Sequence, residues 1–179
     1  MLGGAAAFPL AATVQQPDRV RRLDIVIAVG KTPEYVAALA VFEQALASLG
    51  WKQGENLQID DRWSAGGKEQ SRSAAKEIAA LNPDVILGQS TGVVEALLST
   101  TRTTPIVFLH VADPVASGLV SNLARPGGNV TGITNIEPSI GGKWLQLLKE
   151  MAPAVRRSAL LVNPDTQPDR GALFLNPFE

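Results

Sequence analysis

The feature that most constrains this chain is a regular alternation between short apolar runs and longer helical segments. Each apolar run is rich in β-branched residues and ends at a glycine, proline or polar turn, as a buried strand does. Between the runs, apolar residues recur at three- and four-residue steps, which places them on one face of a helix. The predicted strands are 23–29, 57–62, 84–87, 105–111, 130–134 and 158–162, and the predicted helices are 34–49, 68–81, 93–100, 116–123 and 139–151.

Strands that alternate with helices in this way indicate a parallel sheet, because parallel neighbours need a crossover connection. The runs are apolar at successive positions rather than at every second one, so both faces of the sheet are covered. The sequence therefore predicts an α/β fold, an open parallel sheet with helices on both faces, in a Rossmann-like three-layer arrangement. Ligands of such sheets bind beyond the carboxyl ends of the strands, which here lead into segments 30–33, 88–92, 110–114 and 135–139.

Composition excludes several classes of function. The chain of 179 residues has a formal net charge of −1, with 16 Lys and Arg against 17 Asp and Glu, and this balance predicts no nucleic-acid partner. It contains no cysteine and a single histidine, His110, so disulfides, thiolate metal sites and multi-histidine zinc sites are excluded. The glycine pairs Gly127–Gly128 and Gly141–Gly142 lack the spacing of phosphate-binding loops. We therefore expect neither a metal nor a cofactor.

The segment Gly88–Gly92 reads GQSTG and joins a predicted strand to a predicted helix. In this context the G-x-S-x-G pattern is typical of a serine hydrolase, with Ser90 as the nucleophile and His110 as its base. The order is wrong for such enzymes, since His110 precedes Asp113 instead of following it far downstream. The hypothesis that we favour is a helix start, Ser90–Thr91, whose amide hydrogens and hydroxyls bind an anion or a carboxylate. A plain structural turn is the third interpretation.

Asp113 and Pro114 follow the fourth predicted strand, where a helix is predicted to begin. Aspartate is a common N-cap and proline is common at the first helical position, so capping alone explains the pair. Asp113 is equally suited to pair with a ligand ammonium or hydroxyl group, and the two roles are compatible. For His110 we expect packing at the strand end rather than catalysis.

The two ends of the chain differ from the regular region between them. Residues 1–16 carry no charge and resemble the apolar and small-residue parts of a secretory signal without its basic start, which predicts a signal-peptide remnant. Residues 17–153 hold the alternating pattern and are predicted to form an α/β domain, which the family resemblance described next implies is a ligand-binding lobe. Residues 154–179 supply one more predicted strand and a tail that contains further prolines.

Four stretches carry a resemblance to a known family: Leu49–Trp63 (LGW, then GENLQIDDRW), Ala75–Leu87 (AKEIAALNPDVIL), Thr104–Thr134 (TPIVFLHVADPVASGLVSNLARPGGNVTGIT) and Lys143–Pro153 (KWLQLLKEMAP). Over residues 22–164 the chain resembles the periplasmic substrate-binding proteins of ABC transporters, in the branch whose ligands include aromatic amino acids. The resemblance implies a type I binding-protein fold, whose two lobes close on a small molecule without catalysis. It also implies a periplasmic location and an ABC permease in the membrane as partner.

By position, the resemblance implies six ligand-facing residues in the segments that follow the strands: Lys31, Thr32, Ser90, Thr91, Asp113 and Asn135. A ligand carboxylate at Ser90–Thr91 agrees with the anion-binding hypothesis. The resemblance further implies that strand 158–162 is the first of a second lobe, followed by a divergent tail, so we expect a fragment. Two other classes stay open: a serine hydrolase that uses Ser90, and a stand-alone flavodoxin-like or receiver-like module.

Overall fold

The computed structural model describes residues 19–65, 67–134 and 140–161. Strands and helices alternate through most of that part of the chain, as the apolar pattern predicts. The elements are β1 (Arg21–Ile27), α1 (Pro33–Ser48), β2 (Leu57–Trp63), α2 (Lys68–Ala80), β3 (Val85–Gln89), α3 (Thr91–Thr100), β4 (Ile106–Leu109), β5 (Val130–Ile133) and α4 (Ile140–Met151).

The five strands form one parallel sheet in the order β2-β1-β3-β4-β5. β1 lies between β2 and β3, with Leu23 opposite Ile59 on one side and Val85 on the other. Further along the sheet, Gln89 of β3 lies opposite Leu109 of β4. The strand order reverses between β1 and β3, because the chain first moves outward from β1 to β2 and then returns to the other side of β1. The predicted open parallel α/β sheet is confirmed.

Helices cover the apolar side chains on both faces of the sheet. On one face Val26, Ile86 and Phe108 pack with side chains of α2 and α3, and each is 2% exposed or less. On the opposite face, Leu23 and Ile25 pack against the apolar stripe of α1, which consists of Tyr35, Leu39, Phe42 and Leu46. Full burial of one large apolar side chain stabilises a fold by about 1.5–3 kcal/mol. The three layers of helix, sheet and helix are therefore held together by this packing.

A network of ion pairs links the strands toward their amino ends and is termed here the amino edge: Arg19, Arg21, Arg22, Asp24, Asp60 and Asp84. Arg22 lies at its centre, with Nε 3.2 Å from Asp24 Oδ2 and a terminal nitrogen 2.6 Å from Asp60 Oδ2. Asp84, just before β3, accepts from the backbone N–H of Arg22 at 2.9 Å and also pairs with Arg19 and Arg21. The network therefore joins β1 to both of its neighbours.

Two carboxyl groups of the amino edge differ in their ionisation. Asp24 has no exposed surface, and its Oδ1 has no hydrogen-bond partner among the described residues. Burial raises the pKa of Asp24 above its usual value, although the Arg22 guanidinium opposes that change. Burial acts in the same direction on Asp84. There the backbone N–H of Arg22 and the guanidinium groups of Arg21 and Arg19 outweigh it, so the pKa of Asp84 is lowered.

Two predicted elements are wrong. The predicted helix 116–123 is a turn. The Asp113 carbonyl accepts from the N–H of Ser117 as in a helix, but Gly118 adopts a φ of +69° and ends the helical path there. The predicted strand 158–162 is not formed over residues 158–161, where Leu161 is 98% exposed, and Val162 lies outside the described residues. An isolated strand is unstable, and no described strand lies beside this segment.

Helix α4 forms close to its predicted bounds, but its apolar stripe is not buried. Trp144, Leu147 and Met151 of this stripe are 46%, 54% and 85% exposed. Gly141 is the buried residue of the helix. In the part of the chain that the structure describes, α4 therefore presents a largely exposed apolar face, unlike α1, whose stripe packs on the sheet.

Candidate functional site

The carboxyl ends of the five parallel strands form the opposite edge of the sheet, termed here the carboxyl edge. From this edge the chain leaves β1 and β3 toward different faces, since α1 packs on one face and α3 on the other. In sheets of this class such a divergence forms the crevice where ligands bind. Segment 30–32 follows β1 and segment 90–91 follows β3. The structure thus brings these two predicted segments to neighbouring strand ends at the divergence.

Ser90 caps helix α3 at this point. Its Oγ accepts from the backbone N–H of Val93 at 3.4 Å, and its own N–H donates to the Leu109 carbonyl at 3.0 Å. Thr91, the first residue of α3, is 7% exposed. The first amide hydrogens of a helix have no carbonyl partner within it and carry a partial positive charge. This helix start therefore favours a negatively charged group, as the anion-binding hypothesis requires.

The hydrogen bonds around Ser90 do not form a catalytic triad. His110 is the only histidine of the chain, and its Nδ1 lies 3.3 Å from Nε2 of Gln89. Asp113 accepts from the N–H of Ala116 at 2.9 Å and serves as a cap. The GQSTG segment therefore resembles a hydrolase motif because a helix begins there and Ser90 is its small polar cap.

Lys31 lies in a cluster at the ends of β1 and β2 that is termed the aromatic cluster: Lys31, Tyr35, Asp61 and Trp63. The Lys31 Nζ is 3.3 Å from Asp61 Oδ2 and 5.5 Å from the centre of the Trp63 ring. The Trp63 indole N–H donates to the same carboxylate oxygen, and the Trp63 and Tyr35 rings meet edge to face at 6.3 Å. The Lys31 charge is thus paired within this cluster, although its side chain is 56% exposed.

Thr32 precedes α1, whose first residue is Pro33. The Thr32 carbonyl accepts from the N–H of Val36 at 3.0 Å, and its side chain makes no cap to the helix backbone. The Thr32 hydroxyl instead donates to the Glu34 carboxylate, and this hydrogen bond is the main cause of a lowered pKa of Glu34. Thr32 therefore lies at the carboxyl edge, as predicted, with its hydroxyl engaged by its own helix.

Asp113 follows β4 and caps a turn, which confirms the capping interpretation although the helix predicted there does not form. Its role toward a ligand stays a prediction. Asn135, the last of the six predicted ligand-facing residues, lies outside the described residues. Thr134, which precedes it, donates from Oγ1 to the Val111 carbonyl at 2.7 Å and so ties the end of β5 to the segment after β4.

Sequence reasoning missed three polar or aromatic residues at this edge: Gln89, Asp61 and Trp63. Gln89 Oε1 accepts from the N–H of Ala28 at 2.9 Å, so Gln89 bridges the ends of β1, β3 and β4 through this bond and its contact with His110. The available signal was position, because every residue that ends a parallel strand belongs to the same edge. Ala28, the partner of Gln89, is 61 residues away from it in the sequence, and no local pattern predicts a contact of that separation.

Unusual backbone conformations are concentrated at the carboxyl edge. Ser90, His110 and Asp113 are non-glycine residues with φ of +89°, +53° and +37°, and Ala65, which follows β2, has a φ of +49°. Among the described residues, Asn82 is the one other non-glycine residue with positive φ. Conformations of this kind cost about 1–3 kcal/mol each, and they are common at functional sites. The distribution supports the carboxyl edge as the functional site.

The chemistry at the carboxyl edge is that of hydrogen bonding and charge pairing. In residues 19–65, 67–134 and 140–161, no group of three His, Asp or Glu side chains is placed to hold a metal ion. None of the helices described in those ranges is both long enough and apolar enough to cross a membrane. Both statements concern these ranges alone.

A sequence model of the ABC transporter substrate-binding proteins matches residues 25–172. The chain belongs to this family. Among the relatives of this chain, the tyrosine-binding protein of Clostridioides difficile (strain R20291) is 34% identical over 122 residues, which are 68% of this chain and 35% of the relative.

Solved structures agree with this assignment. A conserved domain protein from Vibrio cholerae is 33% identical, with a TM-score of 0.68 over 77% of this chain and 46% of its own. The ABC domain from Streptococcus pneumonia in complex with L-Trp is 26% identical, with a TM-score of 0.64 over 75% of this chain and 44% of its own. The chain thus spans less than half the length of these relatives. The family consists of substrate-binding proteins and not of enzymes, so the serine-hydrolase hypothesis is not favoured.

Proposed function

We propose that this chain forms one lobe of a solute-binding protein that captures an amino acid and presents it to an ABC permease. The observation that carries the proposal is the start of helix α3, where Ser90 and Thr91 stand at the divergence of β1 and β3 in a chain of this family. One relative is named a tyrosine-binding protein and another is in complex with L-Trp, which supports an amino acid as the ligand.

In this proposal the ligand carboxylate lies at the Ser90–Thr91 helix start, where backbone amide hydrogens and the local dipole favour negative charge. Asp113 pairs with the ligand ammonium group while it continues to cap its turn. Lys31, Thr32 and Asn135 contact the ligand from the segments that follow β1 and β5. The zwitterion would then be held between groups of opposite charge from different strands.

We further propose that a second lobe closes over this edge, with residues 17–153 in the first lobe and the chain from 154 onward in the second. The shorter span of this chain relative to its relatives supports that division. The exposed apolar stripe of α4 supports it too, because an amphipathic helix is stable when its apolar face is packed. Closure is favoured when the ligand binds the closed form more tightly than the open one. Residues 1–16 carry no charge and are predicted to belong to a secretory signal, which supports a periplasmic location.

The ligand site is tested by titrating this chain with L-tryptophan and following backbone amide signals by nuclear magnetic resonance. We expect weak, saturable shifts at residues 90–93 and 30–32, because one lobe holds the ligand from one side only. A hydrogen bond to a charged group contributes about 1.5–3 kcal/mol, so Ser90→Ala should weaken binding about tenfold or more.

Ser99→Ala is the matched control for this titration, because it removes a hydroxyl from the same helix where Ser99 Oγ donates to the Ala96 carbonyl at 2.6 Å. It should bind L-tryptophan as the unsubstituted chain does, and D-tryptophan should bind less tightly to all three proteins. The proposal is wrong if no amino acid gives saturable shifts, or if the shifts fall on residues away from the carboxyl edge.

A further inference from the structure

The side-chain amide of Gln89 lies between two other strand ends at the carboxyl edge. Its Oε1 accepts from the backbone N–H of Ala28, after β1, at 2.9 Å. Its Nε2 lies 3.3 Å from Nδ1 of His110, the residue that follows β4. Gln89 is itself the last residue of β3, so one amide group connects three successive strands of the sheet.

This geometry determines which nitrogen of His110 carries the proton. A backbone N–H can only donate, so the Gln89 carbonyl oxygen must face Ala28 and the NH₂ group must face His110. Because that NH₂ group can only donate, Nδ1 of His110 must accept. The neutral imidazole then carries its proton on Nε2. An imidazolium ring would place two donors against each other at this contact.

We propose that Gln89 is a positioning residue that holds His110 in the Nε2–H form, and that this N–H donates to an acceptor oxygen of the bound solute. The proposal rests on the proposed binding function and extends it to a residue outside the six predicted ones. The His110 side chain is exposed, and its backbone has a φ of +53°. The hydrogen bond from the Ser90 N–H to the Leu109 carbonyl at 3.0 Å keeps His110 beside the start of α3.

The proposal does not make His110 a base, because its Nδ1 is engaged and its Nε2 carries a proton. It presents a fixed donor, which suits a carboxylate or carbonyl oxygen and does not suit an ammonium group. A ligand carboxylate at the Ser90–Thr91 helix start would then receive a donor from the neighbouring strand end as well. Gln89 does not contact the ligand itself but sets the direction of the His110 donor.

The test is nitrogen-15 spectroscopy of the histidine ring in this chain. One histidine is present, so its ring signals need no assignment. We expect Nε2 to be protonated and Nδ1 to be unprotonated at a pH where the ring is neutral. Gln89→Glu keeps the acceptor for Ala28 but replaces the donor by a second acceptor, so the proton should move to Nδ1, or both nitrogens should be protonated.

Gln44→Glu is the matched control, because it makes the same change at an exposed position of α1 and should leave the ring signals unchanged. A ring with its proton on Nδ1 in the unsubstituted chain, or an even mixture that Gln89→Glu does not alter, would overturn the positioning role. The measurement on the unsubstituted chain stands even if Gln89→Glu fails to fold.

L-tryptophan tests the donor role separately, and we expect it to shift the Nε2 signal in step with the amides at the start of α3. Shifts of those amides without a change at Nε2 would refute the donor role and leave the proposed function intact. Absence of all shifts would refute the donor role together with the proposed function, whereas the tautomer result would still decide the role of Gln89.

Discussion

The two edges of the sheet differ in how most of their polar groups are used. At the amino edge, charged side chains pair with one another, and Arg22 alone joins two carboxylates on two strands. At the carboxyl edge, Ser90, His110 and Asp113 hold left-handed backbone conformations, and their side chains bond to nearby amides. The amino edge therefore contributes to holding strands together, while the carboxyl edge holds strained residues in place beside the proposed ligand. Substitutions at the amino edge should therefore have the larger effect on stability, and substitutions at the carboxyl edge should change binding.

The largest expected effect comes from Arg22→Met at the amino edge. This change leaves the fully buried Asp24 without its charged partner, and loss of one member of a buried pair costs about 3–5 kcal/mol. Because Arg22 and Asp60 are 26% and 30% exposed, we expect the lower end of that range. Urea unfolding of the two proteins measures the difference. Arg19→Met is the control, since Arg19 is 62% exposed and Asp84 keeps Arg21. Equal losses in the two variants would contradict the central role of Arg22.

A smaller effect is expected from Asp113→Ala at the carboxyl edge. It removes the acceptor for the Ala116 N–H, and loss of such a cap costs about 1 kcal/mol. Asp113→Asn keeps a cap acceptor and tolerates positive φ, so its urea midpoint should match that of the unsubstituted chain. The asparagine variant nevertheless removes the charge proposed to pair with the ligand ammonium. Unchanged L-tryptophan binding in this variant would show that Asp113 serves the turn alone.

The smallest expected effect is a change of stability at acidic pH, and it has opposite signs for Asp24 and Asp84 of the amino edge. The pKa of Asp24 is raised in the folded state, so the Asp24 carboxyl group of the folded chain is still protonated at a pH where that of the unfolded chain is ionised. Stability from this group therefore falls as pH rises from the usual value of 3.8 through the folded value. Asp24→Asn cannot titrate. Relative to that variant, the unsubstituted chain should gain free energy of unfolding as pH is lowered through this window.

Asp84→Asn provides the opposite case for the same series of unfolding curves. The pKa of Asp84 is lowered in the folded state, so its stabilisation is present above the usual value of 3.8 and is lost as pH falls through the folded value. Relative to Asp84→Asn, the unsubstituted chain should therefore lose free energy of unfolding in acid. Parallel pH curves for all three proteins would show that neither carboxyl group is perturbed.

Much of the fold follows from local pattern. Apolar runs and helical periodicity predict β1 to β5 and all four helices to within a few residues, because each element has its own stripe or run. The turn after Asp113 is predicted as a helix because a capping aspartate followed by proline commonly begins one. The same two residues can also begin a short turn, and Gly118 ends this one. The segment 158–161 has the composition of a strand, but pairing depends on a neighbour that local sequence does not specify.

The candidate site was predictable only in part. Because the carboxyl ends of parallel strands share an edge, the sequence correctly placed five residues at the carboxyl edge: Lys31, Thr32, Ser90, Thr91 and Asp113. The contacts between those ends were not predictable, as the Lys31–Asp61 pair shows. Lys31 follows β1 and Asp61 lies on β2, 30 positions away, and the adjacency of those two strands follows from the whole topology. The same holds for Arg22 and Asp60, which are 38 positions apart.

The position of β1 also affects the rate at which this sheet forms. β1 comes first in the chain but is flanked by β2 and β3, and the bond between the Arg22 N–H and Asp84 joins residues 62 positions apart. Contacts of large sequence separation slow folding, because a long loop must close before they form. During synthesis, one side of β1 must wait unpaired until Gln89 completes β3. One edge of β1 therefore stays unpaired in the nascent chain for longer than the corresponding edge of β3 or of β4, each of which pairs with the next strand along the chain.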